Sequence, residues 1–244
     1  MWTCKLLKQN ARSALQGRYW RCFLVCLVLA LLGAGGETFT IQTNGDTAQV
    51  VENYLSALPD SVLLSFVIAA LLVLLVSIAM QIFLIQPLEV GRNRYFMESR
   101  QAPAPYSTVT TIFQPPYGNV VKVRALVMLK IALGTLLIIP GIYWSYCYAM
   151  VPWLLAENPY LTAQRAMELS KDMMEGEKLH YFGLSLSFFG WALLAALVVI
   201  GGWFLTPYIV ATDAEFYAAM RSKALATGMT TTEELGGFVR HESL

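Results

Sequence analysis

Residues 61–87 read SVLLSFVIAALLVLLVSIAMQIFLIQP and contain no charged side chain. An α-helix needs about 20 consecutive apolar residues to cross the roughly 30 Å hydrocarbon core of a bilayer. Backbone groups without a hydrogen-bond partner cannot face hydrocarbon, so an apolar segment of this length is expected to be helical in a membrane. The stretch therefore predicts a membrane-spanning helix and decides the class of the fold.

The chain as a whole has the composition of a membrane protein. Of its 244 residues, 57% are hydrophobic and 14% are charged, whereas soluble proteins carry about 25% charged residues. A soluble globule of this composition could not cover its surface with polar groups. The formal net charge is +1 and the sequence has no long basic cluster, which argues against nucleic acid as a partner.

Further apolar segments lie on both sides of residues 61–87. We predict six spans, at about residues 19–36, 61–87, 120–139, 142–156, 181–200 and 203–224. Short turns at Pro140-Gly141 and Gly201-Gly202 join the third span to the fourth and the fifth to the sixth. The predicted fold is an all-α polytopic transmembrane helix bundle of three helical hairpins. Residues 1–226 form its single membrane-embedded domain, and residues 227–244 are expected to be a flexible cytoplasmic tail.

The positions of lysine and arginine orient the bundle, because cytoplasmic loops carry an excess of them. Residues 1–21 contain five such side chains and no acidic residue, whereas residues 36–60 contain four acidic residues and no basic one. The connection at 88–124 is again rich in arginine and lysine. We therefore predict that both termini are cytoplasmic.

Two alternatives concern the first and last spans. The first apolar run ends in Gly33-Ala34-Gly35-Gly36, so a cleaved signal peptide is an alternative, although the charged lead of roughly twenty residues is longer than is typical. The sixth span contains Asp213 and Glu215, so an external amphipathic helix in its place would leave five spans.

Short amphipathic stretches on the cytoplasmic side precede three of the predicted spans. They are ARSALQGRYW at residues 11–20, PPYGN at 115–119 and AMELSKDMMEGEKLHYF at 166–182. Together they suggest a weak threefold repeat of lead-in plus hairpin. For the last lead-in we predict an N-cap at Thr162 and a C-terminal stop at Gly176. Its apolar face is expected to pack against other cytoplasmic segments.

Ionisable side chains inside the predicted spans are the candidate functional residues. A charge at the centre of a bilayer costs about 2.5–3.5 kcal/mol or more unless it is paired or hydrated. Three such residues and three tyrosines of similar depth form a candidate polar site for a solute or lipid headgroup: Lys130, Asp213, Glu215, Tyr148, Tyr208 and Tyr217. The depths of Lys130 and Glu215 are compatible with an ion pair. The alternative is that Lys130 snorkels to the surface and both acids lie at the wet end of a short helix.

Other chemistry has little support in the sequence. The cysteines Cys4, Cys22, Cys26 and Cys147 form no CxxC motif and no cluster with the two histidines, so we expect no metal site and no cofactor. No nucleophile elbow, zinc-protease motif or Walker loop occurs. These observations favour a protein that is not an enzyme.

Several short motifs follow one another in a characteristic order. They are Arg18-Tyr19-Trp20 after Gly17, Val90-Gly91-Arg92-Asn93-Arg94-Tyr95-Phe96, Ile139-Pro140-Gly141-Ile142, Tyr148-Ala149-Met150, Ser170-Lys171, Ser187-Phe188-Phe189-Gly190-Trp191, Pro207-Tyr208 and Phe216-Tyr217. From about residue 5 to 222, this order resembles a bacterial integral membrane protein family catalogued as a domain of unknown function, number 975. The resemblance implies a multi-pass protein of the bacterial cytoplasmic membrane, and it supplies no catalytic residues to carry over.

The leading functional hypothesis is a non-enzymatic accessory of the envelope or of export. Its partners would be the lipid bilayer and a membrane or envelope protein. It would bind a lipid, a peptide or a protein, and the sequence does not specify a small-molecule ligand. A small-solute transporter that uses Lys130, Asp213 and Glu215 is the alternative, and an intramembrane enzyme is third.

Overall fold

The structure is a computed structural model that describes residues 2–31, 60–196 and 201–238. Its regular elements are all helical, and no β-strand occurs within these ranges. The helices are α1 (Cys4–Leu15), α2 (Tyr19–Leu31), α3 (Asp60–Met80), α4 (Gln86–Gln101), α5 (Tyr117–Thr135), α6 (Ile139–Cys147), α7 (Val151–Glu157), α8 (Ala163–Met173), α9 (Lys178–Ala196) and α10 (Gly201–Ala226). The all-α class predicted from the sequence is confirmed.

A single long helix contains the apolar stretch that decides the fold. It consists of α3, a π-helical segment at Gln81–Ile85 and α4. Within the described ranges, Leu64–Gln101 is the one helical stretch long and apolar enough to cross a membrane, and its most apolar window is only 6% buried. The side chains of α3 thus project away from the rest of the protein. This supports membrane association, while the other five predicted spans stay predictions.

The core lies where α4, α7, α8 and α10 meet. Large apolar side chains from all four helices are almost fully inaccessible there: Tyr95, Leu154, Leu155, Leu169, Met173, Phe216 and Met220. Each fully buried side chain of this size contributes about 1.5–3 kcal/mol relative to an exposed one. α1, α2 and α9 also pack against α10, so α10 is the helix around which the fold is arranged.

Two of the predicted lead-ins are amphipathic helices with the expected ends. In α8, the Thr162 hydroxyl caps the helix by accepting a hydrogen bond from the Arg165 amide, and the following turn reaches Gly176 at a positive φ of 78°. In α1, the buried residues Leu7, Ala11 and Leu15 recur at helical spacing. Both apolar faces pack against protein, as expected for α8.

The corner between α5 and α6 depends on glycine. A Cβ atom on Gly141 would lie 2.5 Å from Thr135 Cα, and one on Gly134 would lie 2.6 Å from the Trp144 ring. Pro140 occupies the first turn of α6, where its missing N–H is not needed.

At the start of α10, a Cβ on Gly201 would lie 2.3 Å from the Ala195 carbonyl oxygen, whereas Gly202 has open space around it.

The C-terminal segment differs from the expectation of a flexible tail beginning at residue 227. Leu235 is fully buried and Phe238 nearly so. Arg165 donates two hydrogen bonds to the Glu234 carboxylate, at 2.7 and 2.8 Å, and these hold the pKa of Glu234 below its ordinary value. The segment is therefore docked on α8 as far as Phe238, because it supplies both an apolar anchor and an ion pair. Residues 239–244 lie outside the described residues.

Candidate functional site

A cavity of about 250 Å³ lies between α4, α5, α9, α10 and the connection from α6 to α7. Its polar lining residues are Glu89, Arg92, Asn93, Arg124, Ser145, Tyr148, Tyr181 and Asp213. Apolar side chains such as Val127, Ile131 and Val210 complete the wall. Charged groups of both signs thus face one small space.

Two arginines share one carboxylate at the cavity. Glu89 accepts a hydrogen bond from Arg92 at 3.4 Å and another from Arg124 at 2.5 Å. The two arginine side chains are only 13% and 11% exposed. Their Nε atoms are buried and find no hydrogen-bond partner in the described part of the chain. The two guanidinium groups thus share one carboxylate, and among the described residues they are the only lysine or arginine side chains that line the cavity.

Asp213 supplies a carboxylate to the same space from α10. The Tyr181 hydroxyl donates to it at 3.4 Å, a long hydrogen bond. No lysine or arginine of the described residues lies within ion-pair distance of Asp213. The carboxylate can therefore accept from a ligand without first breaking an ion pair.

The cavity is also bordered by an interruption in the fourth predicted span. α6 ends at Cys147 and α7 begins at Val151, and Tyr148 and Ala149 between them line the cavity. The buried Ser170 hydroxyl joins the two helix ends, since it donates to the Cys147 carbonyl at 2.8 Å and accepts from the Met150 amide at 3.2 Å. Buried backbone groups need such partners, so this interruption is a stabilised feature of the fold.

The six residues of the predicted polar site lie in several places. Tyr148 and Asp213 line the cavity. Lys130 is exposed, with its Nζ 5.9 Å from the centroid of the Tyr148 ring. Tyr208 borders a separate groove.

Glu215 and Tyr217 are engaged with other partners. Glu215 accepts two hydrogen bonds from Arg100, at 2.6 and 2.9 Å, so its partner is Arg100 and not Lys130. Tyr217 donates to Glu157 at 2.6 Å. Both residues are buried. For Glu215 this differs from the alternative that placed the acids at a wet helix end, whereas Asp213 is partly exposed.

Sequence reasoning missed the two arginines that dominate the cavity. Arg92 and Arg124 entered the argument only as markers of orientation. One local signal was present, because Glu89 and Arg92 are three residues apart just after Pro87 and so share a helix face if the second span continues as a helix. The pairing of Glu89 with Arg124 joins residues 35 positions apart and has no local signal.

Metal ligands and disulfides contribute nothing to this site. No group of three or more histidine, cysteine, aspartate or glutamate side chains within the described ranges could hold a metal ion. All four cysteines are free thiols.

Comparison with known proteins identifies the family. No curated protein and no solved structure matches the chain. The family model described as "Protein of unknown function (DUF975)" matches residues 62–224. The matched region runs from α3 to α10 and includes every residue that lines the cavity, whereas the motif at Gly17–Trp20 lies before it. A match over about two thirds of the chain shows that the protein belongs to the DUF975 family.

Proposed function

We propose that this protein is a multi-pass, non-enzymatic protein of the bacterial cytoplasmic membrane that binds a small ligand through an anionic group. The observation that carries the proposal is the pair Arg92 and Arg124, which both line the cavity and share the single carboxylate of Glu89. A planar guanidinium matches a carboxylate or phosphate in geometry and charge. The cavity therefore offers the donors that such a group requires.

The size of the cavity narrows the ligand. A volume of about 250 Å³ is below the roughly 300–1,000 Å³ of pockets that enclose drug-sized molecules. It fits a small solute or a single headgroup and excludes a folded peptide. Asp213 and the tyrosine hydroxyls would then bind a cationic or hydroxyl part of the same ligand.

The topology belongs to the proposal as well. The exposed apolar surface of α3 supports insertion in the bilayer, and the excess of lysine and arginine in residues 1–21 favours a cytoplasmic N-terminus. Six spans in three hairpins would place Arg221, Lys223 and the C-terminal segment on the cytoplasmic side with Ser107 and Glu175.

Single reactive cysteines at Thr47, Ser107, Glu175 and Thr231, placed in a cysteine-free background, test this topology. We expect an impermeant maleimide added outside to label only Thr47→Cys, because the other three positions lie in predicted cytoplasmic segments. Labelling of Thr231→Cys from outside would instead establish five spans.

The binding proposal is tested by a cysteine in the cavity wall. Ser145→Cys lines the cavity, so we expect a maleimide to label it in the purified protein in detergent and inorganic phosphate to slow the labelling. Arg92→Gln should abolish this protection. Arg94→Gln should retain it, because Arg94 lies on the same helix, pairs with Glu98 and does not line the cavity. Ser77→Cys on α3 serves as the lipid-facing control.

Two outcomes of this labelling experiment would contradict the binding proposal. Labelling that neither phosphate nor acetate slows, or protection that survives Arg92→Gln, would contradict an anion site at the two arginines. Absence of any labelling of Ser145→Cys in detergent would contradict an accessible cavity.

Transport of a small solute is the second candidate function, favoured by the interruption between α6 and α7. Discontinuous helices beside a polar site recur in secondary transporters, and here Tyr148 and Ala149 of the interruption line the cavity. A transporter would expose Ser145→Cys to reagent from both sides of the membrane. A binding module would expose it from one side only.

A further inference from the structure

A second opening lies on another side of the protein, where the turn from α1 to α2 meets the hairpin of α9 and α10. This groove has a volume of about 530 Å³ and is lined by Arg12, Tyr19, Trp191, Phe204, Leu205 and Tyr208 among others. None of these residues belongs to the cavity of Arg92 and Arg124. The groove is therefore a separate feature that the proposed function does not use.

One wall of the groove is apolar and open. Trp191 is 55% exposed and Phe204 is 40% exposed. The surface continues along α9 to Leu194, which lies one turn after Trp191 on the same helix face and is also exposed. Large apolar side chains that remain uncovered on neighbouring positions mark a site for a protein, a ligand or a lipid.

The other wall carries positive charge that has no counterion. The Arg12 guanidinium lies 5.6 Å from the centroid of the Tyr208 ring and makes no ion pair with any described residue. The neighbouring Lys8 is already engaged, since it donates to the Ser187 carbonyl and lies 4.2 Å from the Phe188 ring centroid. Residues 1–21 contain no acidic side chain that could neutralise Arg12.

Tyr208 adds a polar group beneath the groove. Its hydroxyl is buried and has no hydrogen-bond partner in the described ranges. The hydroxyl of Tyr19 is engaged, because it donates to the Phe204 carbonyl at 2.8 Å and so joins α2 to α10. A cation without a counterion at the rim and an apolar wall beside it match the parts of an anionic amphiphile.

We infer that this groove binds one anionic phospholipid, with the phosphate at Arg12 and an acyl chain against Trp191 and Phe204. Charge complementarity favours an anionic lipid over a zwitterionic one, because the phosphate of the latter is neutralised by its own ammonium. A second copy of the chain is disfavoured as the occupant, since α1 would bring further positive charge to the groove. The inference is independent of the ligand proposed for the cavity.

Native mass spectrometry of the full chain in detergent tests the inference. The protein is incubated with phosphatidylglycerol or with phosphatidylcholine of identical acyl chains. We expect one phosphatidylglycerol to be retained about tenfold more strongly than phosphatidylcholine, because its phosphate charge is not offset by a choline cation and so attracts Arg12 more strongly. Arg12→Gln should remove this preference. Lys5→Gln removes the same charge from the exposed face of α1 without lining the groove and should preserve it.

A second variant keeps the test decisive if Arg12→Gln impairs folding. Trp191→Ala removes an exposed side chain of the apolar wall and should leave thermal unfolding in lipid-free detergent nearly unchanged. It should also weaken phosphatidylglycerol retention by a few-fold. Equal retention of both lipids, equal losses for Arg12→Gln and Lys5→Gln, or a lipid-free dimer that Arg12→Gln dissociates would overturn the inference.

Discussion

Arg221→Met should lower the free energy of unfolding by about 3–5 kcal/mol, the range found when one partner of a buried ion pair is removed. The Glu157 side chain is completely inaccessible to solvent. It accepts hydrogen bonds from Arg221 Nε at 2.8 Å, the Tyr217 hydroxyl at 2.6 Å and the Gly237 amide at 2.7 Å. Without Arg221, a buried carboxylate would keep two neutral donors and lose its only cation within ion-pair distance among the described residues.

Equilibrium unfolding in detergent measures the free energy of unfolding of Arg221→Met, and two further variants serve as controls. Lys223→Met removes a pair with Glu177 in which the lysine side chain is 36% exposed, and it should cost about 1 kcal/mol or less. The double variant Glu157→Gln with Arg221→Met should recover part of the loss, because it leaves no charge buried. Equal losses for Arg221→Met and Lys223→Met would show that Glu157 is hydrated in solution.

Gly91→Ala should destabilise the protein by about 3 kcal/mol or more, at the upper end of overpacking effects. A Cβ atom at this position would lie 2.1 Å from the Val109 carbonyl oxygen and 3.0 Å from its carbonyl carbon. Both are backbone atoms, so no flexible side chain can move aside. The 3-10 turn at Tyr106–Val109 would have to leave α4 and would strain the hydrogen bond from Thr108 to Glu98.

Thermal unfolding of the purified protein, with Gly190→Ala as the matched control, checks this prediction. Gly190 also lies within a helix but has nothing within 4 Å of its would-be Cβ, so alanine there should be neutral or stabilising by up to about 1 kcal/mol. If both variants behaved alike, the turn would not pack against α4 as described.

Local signals in the sequence were sufficient for much of the fold. The uncharged run at residues 61–87 predicts the long helix, and the α8 lead-in begins and ends near the residues that its cap and glycine indicate. Gly134 approaches the Trp144 ring of the next helix closely, whereas open space surrounds the helical glycines Gly183 and Gly190. A glycine in a helix therefore does not by itself reveal a neighbouring helix.

Apart from the pair of Glu89 and Arg92, the candidate site depends on contacts between distant residues, which no local pattern encodes. Glu215 pairs with Arg100, 115 positions away, so its depth in a predicted span could not identify its partner. Leu235 and Glu234 pack against the helices, which differs from the expectation of a flexible tail. The polar composition of the segment does not reveal that Glu234 pairs with Arg165. Of the six predicted site residues, Tyr148 and Asp213 line the cavity.

The Ser170 hydroxyl, which holds both ends of the interruption between α6 and α7, gives α8 a mechanical role. α8 carries Arg165 on one turn and Ser170 on a later one, so the same rigid helix binds Glu234 of the C-terminal segment and positions Tyr148 at the cavity wall. A shift of α8 would change both sites together. If the cavity binds the proposed ligand and α8 shifts on binding, the docking of the C-terminal segment would change with it.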